Sequence, residues 1–290
     1  MRGRSVPNVR FCTMATPAKS DAGAGFRART KRAASQAATK AAGWAATAAS
    51  AVSGVGKIGA GGDSMHPGAP TGYELYMRTE DLLKLQKEED QSVHHDELMF
   101  QVVHQSFELW CKLVLFELRS VGKLIDEDRL VEAYPLIQRC THAIKVNTES
   151  MHALETMTPW DFHVIRAGLG QASGAESPGF RLIQQKAPAL WPKVEALLRR
   201  RKVDLLTVYT QPARHPELLR LLENLTDFDM FFSIWRLNHL AMVKRVIGRD
   251  VKSLKGYAVH QLETDVQALL WPALWKVRNQ VTDKAGTSPP

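Results

Sequence analysis

Residues 98–121 read LMFQVVHQSFELWCKLVLFELRSV, and the spacing in this stretch decides the fold class. Leu98, Val102, Leu109 and Leu113 recur at steps of four and seven, which is the period of one helix face. Strict apolar/polar alternation appears nowhere after residue 70, so the chain from there on is expected to be all-α. The stretch itself is expected to be helical from about His95 to Val121. A helix over Tyr73–Gln86 precedes it, and one from about Asp126 to Met157 follows, which Pro135 should kink or divide because it lacks a backbone donor.

Working outward, Thr158-Pro159-Trp160-Asp161 is a helix start by its chemistry. A hydroxyl N-cap is followed by proline at the first helical position and a carboxylate at the third. That helix should reach about Gly168, after which Gly170–Gly179 is too rich in Gly and Ser for regular structure. Shorter helices are expected between 180 and 209. Pro216 then opens a long helix to Ile247 that Gly248 can end, and a last helix from about Leu262 to Val281 is interrupted by Pro272. No internal repeat is present.

The chain has 290 residues, with 38 Lys and Arg against 30 Asp and Glu, a net charge of +8. Residues 1–64 hold ten of the basic and two of the acidic side chains, so this arm supplies the whole excess. The remainder carries 28 of each sign, which does not support a nucleic-acid-binding core. The expected organisation is a basic Ala/Ser/Gly-rich arm over 1–64 and one helical domain over 65–290. Residues 1–40 suit a disordered arm, a transit peptide or translation from an upstream start. A cytoplasmic location is expected, with the transit reading second to it. Cys12, Cys111 and Cys140 are an odd number without close spacing, so neither a disulfide framework nor a cysteine-based zinc site is indicated. No stretch of the arm reaches the roughly 20 strongly apolar residues that a membrane span needs.

Chemistry concentrates in histidines on apolar helical faces. His104 shares a stripe with Phe100, Phe107 and Cys111, and His239 with Phe232, Trp235, Met242, Val243 and Val246. Each is either a core histidine bonded to a carbonyl, or a metal or haem ligand or proton-handling group. Arg166 falls on the helix after the Thr158 cap beside Phe162, Ile165 and Leu169. It either pairs with a carboxylate of the chain or captures a substrate carboxylate through its planar fork. His94-His95-Asp96 is a poor metal cluster, because adjacent helical residues point about 100° apart. It reads better as a first turn whose acidic residues favour the helix dipole.

The separated segments Tyr73–Met77, His94–Phe100, Val103–Gln105, Glu108–Trp110, Leu154–Pro159, Ala172–Gly174, Phe180–Arg181, Trp235–Arg236, His239 and Arg245–Gly248 together resemble the tryptophan 2,3-dioxygenase family of haem enzymes. The resemblance implies a helical bundle of that type binding haem b between helices. His239 would be the proximal iron ligand, and no C-x-x-C-H haem-attachment motif is present. His104 would take the place of the distal histidine near the indole N–H. Arg166 would pair with the substrate carboxylate, Phe100 would be a pocket aromatic, and Ser173 a hydroxyl of the distal loop. Tyr73, Tyr76 and Met77 match an N-terminal helix that reaches into a neighbouring subunit's pocket, which implies a homotetramer, a dimer of dimers.

The implied reaction uses dioxygen as co-substrate and inserts both oxygen atoms across the indole C2–C3 bond of L-tryptophan, giving N-formylkynurenine. No nucleic acid or membrane is expected among the partners. The chain departs from the family at Lys252–Tyr257, where a Gly-rich loop is replaced and Ser253 holds the position of a threonine that meets the substrate ammonium. Phe162 stands where some members carry a carboxylate-binding tyrosine, and the segment between Arg181 and Trp235 is short. Those departures admit a haem-dependent monooxygenase of tryptophan, a tryptophan derivative or tyrosine as the alternative. A haem-binding sensor is a third reading, although mere haem retention needs His239 alone.

Overall fold

The computed structural model describes residues 69–169, 176–251, 263–264 and 266–286. Among them no β-strand occurs, and the architecture is all-α. The chain divides into two compact units, Met1–Leu85 and Gln86–Pro290. The arm over 1–64 lies outside the described residues.

In the first unit, Thr71 caps the helix α1 (Gly72–Met77) through a capping box with Glu74. A second short helix, α2 (Thr79–Leu83), follows a break at Arg78, whose φ of 56° is left-handed. The single helix expected over Tyr73–Gln86 is therefore two pieces. Neither piece buries a residue, so no packing offsets the cost of carrying a helix past the break.

The second unit is built on α3 (Glu97–Asp126), α4 (Leu130–Leu154) and α9 (Pro216–Ile247). Helix α4 is central and packs along both α3 and α9. Pro135 does not divide α4. The carbonyl it leaves without a donor is that of Val131, a residue 62% exposed, where water can serve instead.

The spacing establishes the helix α3 but leaves open which of its faces points inward. Val103, Cys111, Val114, Leu118, Val121 and Ile125 are buried, whereas Leu98, Val102 and Leu109 are exposed along with Phe116. Two apolar stripes share this helix, and packing on α4 selects one of them.

Helix α5 (Pro159–Gly168) starts where expected, with Thr158 and Asp161 completing a capping box. It packs against α9. Helix α6 (Pro178–Lys186) packs on α3, a 3₁₀ turn over Ala187–Leu190 leads into α7 (Trp191–Arg200), and α8 (Leu205–Thr210) precedes α9. Gly248, at φ 93°, ends α9 as anticipated.

The last helical stretch is interrupted as expected: residues 263–264 and 266–267 are helical, the helical run breaks, and Pro272 opens α10 (Pro272–Lys284). Its entry is held by Asp229 of α9, whose fully buried carboxylate accepts from the backbone N–H of Leu270 (3.0 Å) and Trp271 (3.1 Å) and from the Trp275 indole (2.9 Å). The Trp271 indole in turn donates to the Ala187 carbonyl at 3.0 Å. The thiols of Cys111 and Cys140 are buried and pushed up to about 12 by that burial, so both are inert packing groups. No helix among the described residues is long and apolar enough to cross a membrane.

Candidate active site

Helices α3 and α9 both lie along α4 and meet each other through side chains. The meeting is aromatic: Phe107 of α3 approaches Trp235 of α9 edge-on at 6.1 Å between ring centroids. On α3 the rings continue to His104, 5.9 Å from Phe107, and to Phe100, 4.1 Å from His104. On α9, His239 lies 5.4 Å from Trp235 and nearly parallel to it, at 7°. Phe162 of α5 joins the other end, 6.2 Å from Phe100. One helical turn separates each successive pair on α3 and the pair on α9, so the period of the α-helix lays these rings side by side.

His104 is neutral and in a defined tautomer. Its Nδ1 lies 2.7 Å from the Phe100 carbonyl, which can only accept, so Nδ1 carries the hydrogen. Burial lowers the pKa of this imidazole, against the Phe100 carbonyl and the charge of Glu108, which act to raise it. The lone pair on Nε2 is left to accept a hydrogen bond.

His239 is held lower still, at about 4, by burial first and then by the proximity of His104. The two imidazoles are therefore close enough to influence one another, with Phe107 and Trp235 linking them ring to ring. Among the described residues, none hydrogen-bonds either ring nitrogen of His239. Beside it, the buried Trp235 indole N–H has no hydrogen-bond partner among the described residues.

Arg166 is half-buried on α5, one turn beyond Phe162 and on the same side of that helix. His94 lies at the start of α5. Its Nδ1 accepts from the Asp96 N–H at 3.2 Å and its Nε2 approaches Asp161 at 3.5 Å. It is thus engaged with the α5 cap. Among the described residues, no three His, Cys, Asp or Glu side chains converge in a way that could hold a metal ion.

Ser173 and Ser253, together with the replaced loop Lys252–Tyr257, lie outside the described residues. Tyr73, Tyr76 and Met77 are on α1 and exposed, at 68%, 73% and 50%.

A further constellation bears on the site. Glu108, one turn past His104, accepts from the Ser177 hydroxyl at 2.5 Å and the Gly179 N–H at 2.9 Å. Its sequence signal is a carboxylate set between Phe107 and Leu109 on a helix that is otherwise apolar around it. The next residue after Gly179, Phe180, stacks on Phe232 at 5.1 Å and packs tilted against Trp235 at 4.7 Å.

The structure thus has two neutral imidazoles on separate helices joined by a row of aromatic rings, with an arginine-bearing helix beside them, in an all-α bundle. The relatives sharpen this. A family model for tryptophan 2,3-dioxygenase matches residues 60–190. The tryptophan 2,3-dioxygenase of a Polaromonas species is 27% identical over 259 residues, covering 72% of this chain and 87% of its own. That of a Bradyrhizobium species is 28% identical over 256 residues, covering 71% and 91%. That of Bacillus anthracis is 27% identical over 259 residues, covering 72% and 92%. The chain is tryptophan 2,3-dioxygenase-like, an oxidoreductase of the dioxygenase type.

Proposed function

We propose that the protein binds haem b through His239 and oxidises L-tryptophan with dioxygen to N-formylkynurenine. The observation that carries this reading is the pairing of His104 and His239, two neutral imidazoles from different helices linked by the rings of Phe107 and Trp235. The donor set fits the group. A flat apolar macrocycle would suit the Phe and Trp side chains here, the neutral imidazole of His239 would hold its iron, and the unpartnered Trp235 N–H would supply a polar contact to it. Haem b, when bound, supplies a ferrous iron able to activate dioxygen for insertion across the indole C2–C3 bond.

The chain's own residues do the rest. His104 accepts the indole N–H at Nε2 while its Nδ1–H stays on the Phe100 carbonyl, which fixes the plane of the imidazole. Phe100 and Phe162 form an apolar wall against the indole and keep water from it. Arg166 pairs with the substrate carboxylate and so sets which edge of the indole meets the reacting centre. Ser173 and Ser253 act as hydroxyl contacts to substrate. The catalytic unit is residues 65–290, working in the cytoplasm.

We also infer a homotetramer, a dimer of dimers, in which Tyr73, Tyr76 and Met77 enter a neighbour's pocket. Two exposed surfaces support it: these three side chains on α1, and the stripe Leu98, Val102, Leu109 and Phe116 on α3.

The test is mass spectrometry of the products formed by reduced, haem-loaded protein from L-tryptophan under ¹⁸O₂. Two labelled oxygens in N-formylkynurenine are expected. A single label in a ring-hydroxylated product would overturn the dioxygenase assignment, and a His239→Ala protein that still bound stoichiometric haem would overturn the ligand.

A further inference from the structure

We propose that Glu108 is a positioning residue for this reaction: its carboxylate clamps the first turn of α6 and thereby fixes the aromatic stack that carries His239. The assignment rests on the haem-oxygenase reading above. Glu108 has one carboxylate oxygen on the Ser177 hydroxyl and the other on the Gly179 N–H. Ser177 is the N-cap of α6 and accepts from the Phe180 N–H at 3.2 Å. The carboxylate therefore completes the cap from outside, where a negative charge is favoured by the helix dipole and the bonds to it are charge-assisted.

The fit is close. A Cβ on Gly179 would lie 2.5 Å from the Cys111 Cβ and 2.6 Å from Glu108 Oε2, so the first turn of α6 rests directly on α3. Phe180 is the next residue, and its ring is seated against Trp235 and Phe232. Trp235 in turn lies parallel to His239. A continuous line of contacts runs from Glu108 through Gly179, Phe180 and Trp235 to the imidazole. Glu108 does not touch His239; it acts by holding Phe180, the ring on which Trp235 leans.

The same Glu108 stands one turn from His104. One carboxylate thus borders the distal imidazole on its own helix while anchoring the support of the other imidazole.

The experiment uses the full-length protein and its variants Glu108→Gln, Glu108→Ala and Ser177→Ala, with the Glu108→Gln/Ser177→Ala double variant. Amide hydrogen exchange across residues 178–181 is read in the haem-free state. The Fe–His stretching band of the ferrous loaded protein, and kcat and KM separately, are read in the holo state. Glu108→Gln retains one acceptor oxygen, so exchange at Gly179 and Phe180 should rise about tenfold, the factor one net hydrogen bond is worth. Glu108→Ala should exceed it. The double variant should fall short of the sum of the two single effects, because both act on one cap.

In the loaded protein the Fe–His band should shift and kcat should fall while KM holds. Parent-like exchange in both Glu108 variants would overturn the clamp. Raised exchange with an unmoved Fe–His band and unchanged kcat would reduce Glu108 to a structural anchor and overturn the positioning role. A parent that takes up no haem would overturn the oxygenase reading and this assignment together. That failure is distinct from either of the others, which occur in a haem-loaded parent.

Discussion

Replacing Asp229 with Ala tests how the C-terminal helix is tied to the bundle. The carboxylate is fully buried and accepts three hydrogen bonds, from Leu270 N, Trp271 N and the Trp275 indole, at 2.9–3.1 Å. Leu270 and Trp271 are themselves buried, so two of the three donors have no ready access to water once the carboxylate is gone. Each stranded buried donor costs about 1–3 kcal/mol, and the half-buried Trp275 adds less because water can reach it. Removing a buried charge returns part of its desolvation cost, which brings the net loss to about 3 kcal/mol. That is a large part of the roughly 5–15 kcal/mol that holds a folded domain. Asp229→Asn keeps one acceptor oxygen but turns an amide N–H toward the remaining donors, and should cost about half as much. Trp275→Phe removes only the third bond and should cost about 1 kcal/mol or less. Equilibrium urea unfolding of the haem-free proteins, with the slope checked to be constant, gives these values directly. An Asp229→Ala loss below about 1 kcal/mol, or one equal to that of Trp275→Phe, would refute the view that this carboxylate anchors α10.

Three further outcomes are expected. Gly179→Ala should destabilise by about 1–3 kcal/mol, read as a lowered thermal midpoint, since its Cβ would press on Cys111 and Glu108; an unchanged midpoint would mean that α6 can move off α3 at no cost. His239 has an ordinary pKa near 6.5 when unfolded and about 4 in the fold, so between these values the unfolded chain binds the extra proton first. The haem-free fold should therefore lose stability as pH falls from 6.5 to 4, by up to about 3 kcal/mol at 1.36 kcal/mol per pKa unit, and parallel urea-unfolding curves against pH for parent and His239→Gln would contradict it. Arg166→Leu should raise the KM for L-tryptophan about 10- to 100-fold with haem content intact, as loss of a charged hydrogen-bonded pair requires; an unmoved KM would make Arg166 structural.

The features of the fold that could be read from sequence are those whose causes are local. Thr158, Pro159 and Asp161 carry the start of α5 in three side-chain types within four residues, and Pro216 and Gly248 bound α9 for the same reason. Arg78 offered no such mark. It takes a left-handed conformation that its residue type does not advertise, and no neighbouring surface forces α1 and α2 into one helix. Helix α3 shows a different limit. Both the stripe through Leu98 and Leu109 and the stripe through Val103 and Cys111 have helical spacing, so periodicity establishes the helix without choosing its inner face. The choice belongs to α4, a partner outside the window in which a period is counted.

The site divides along the same line. Phe100, His104 and Phe107 are neighbours by one turn on α3, and Trp235 and His239 are neighbours by one turn on α9, so each half was visible as a histidine set among aromatic residues. What joins the halves is the contact of Phe107 with Trp235 and the bridge through α6, neither of which any spacing encodes. Yet the bridge leaves one trace. Gly179 follows Pro178 inside the first turn of α6, where glycine weakens a helix and a side chain would ordinarily be preferred. It is tolerated because the alternative, a methyl group, would lift α6 from Cys111 and pull Gly179 off Glu108. The local cost of that glycine is thus set against the seating of Phe180 on Trp235, and a residue unfavourable to its own helix is what lets that helix support His239.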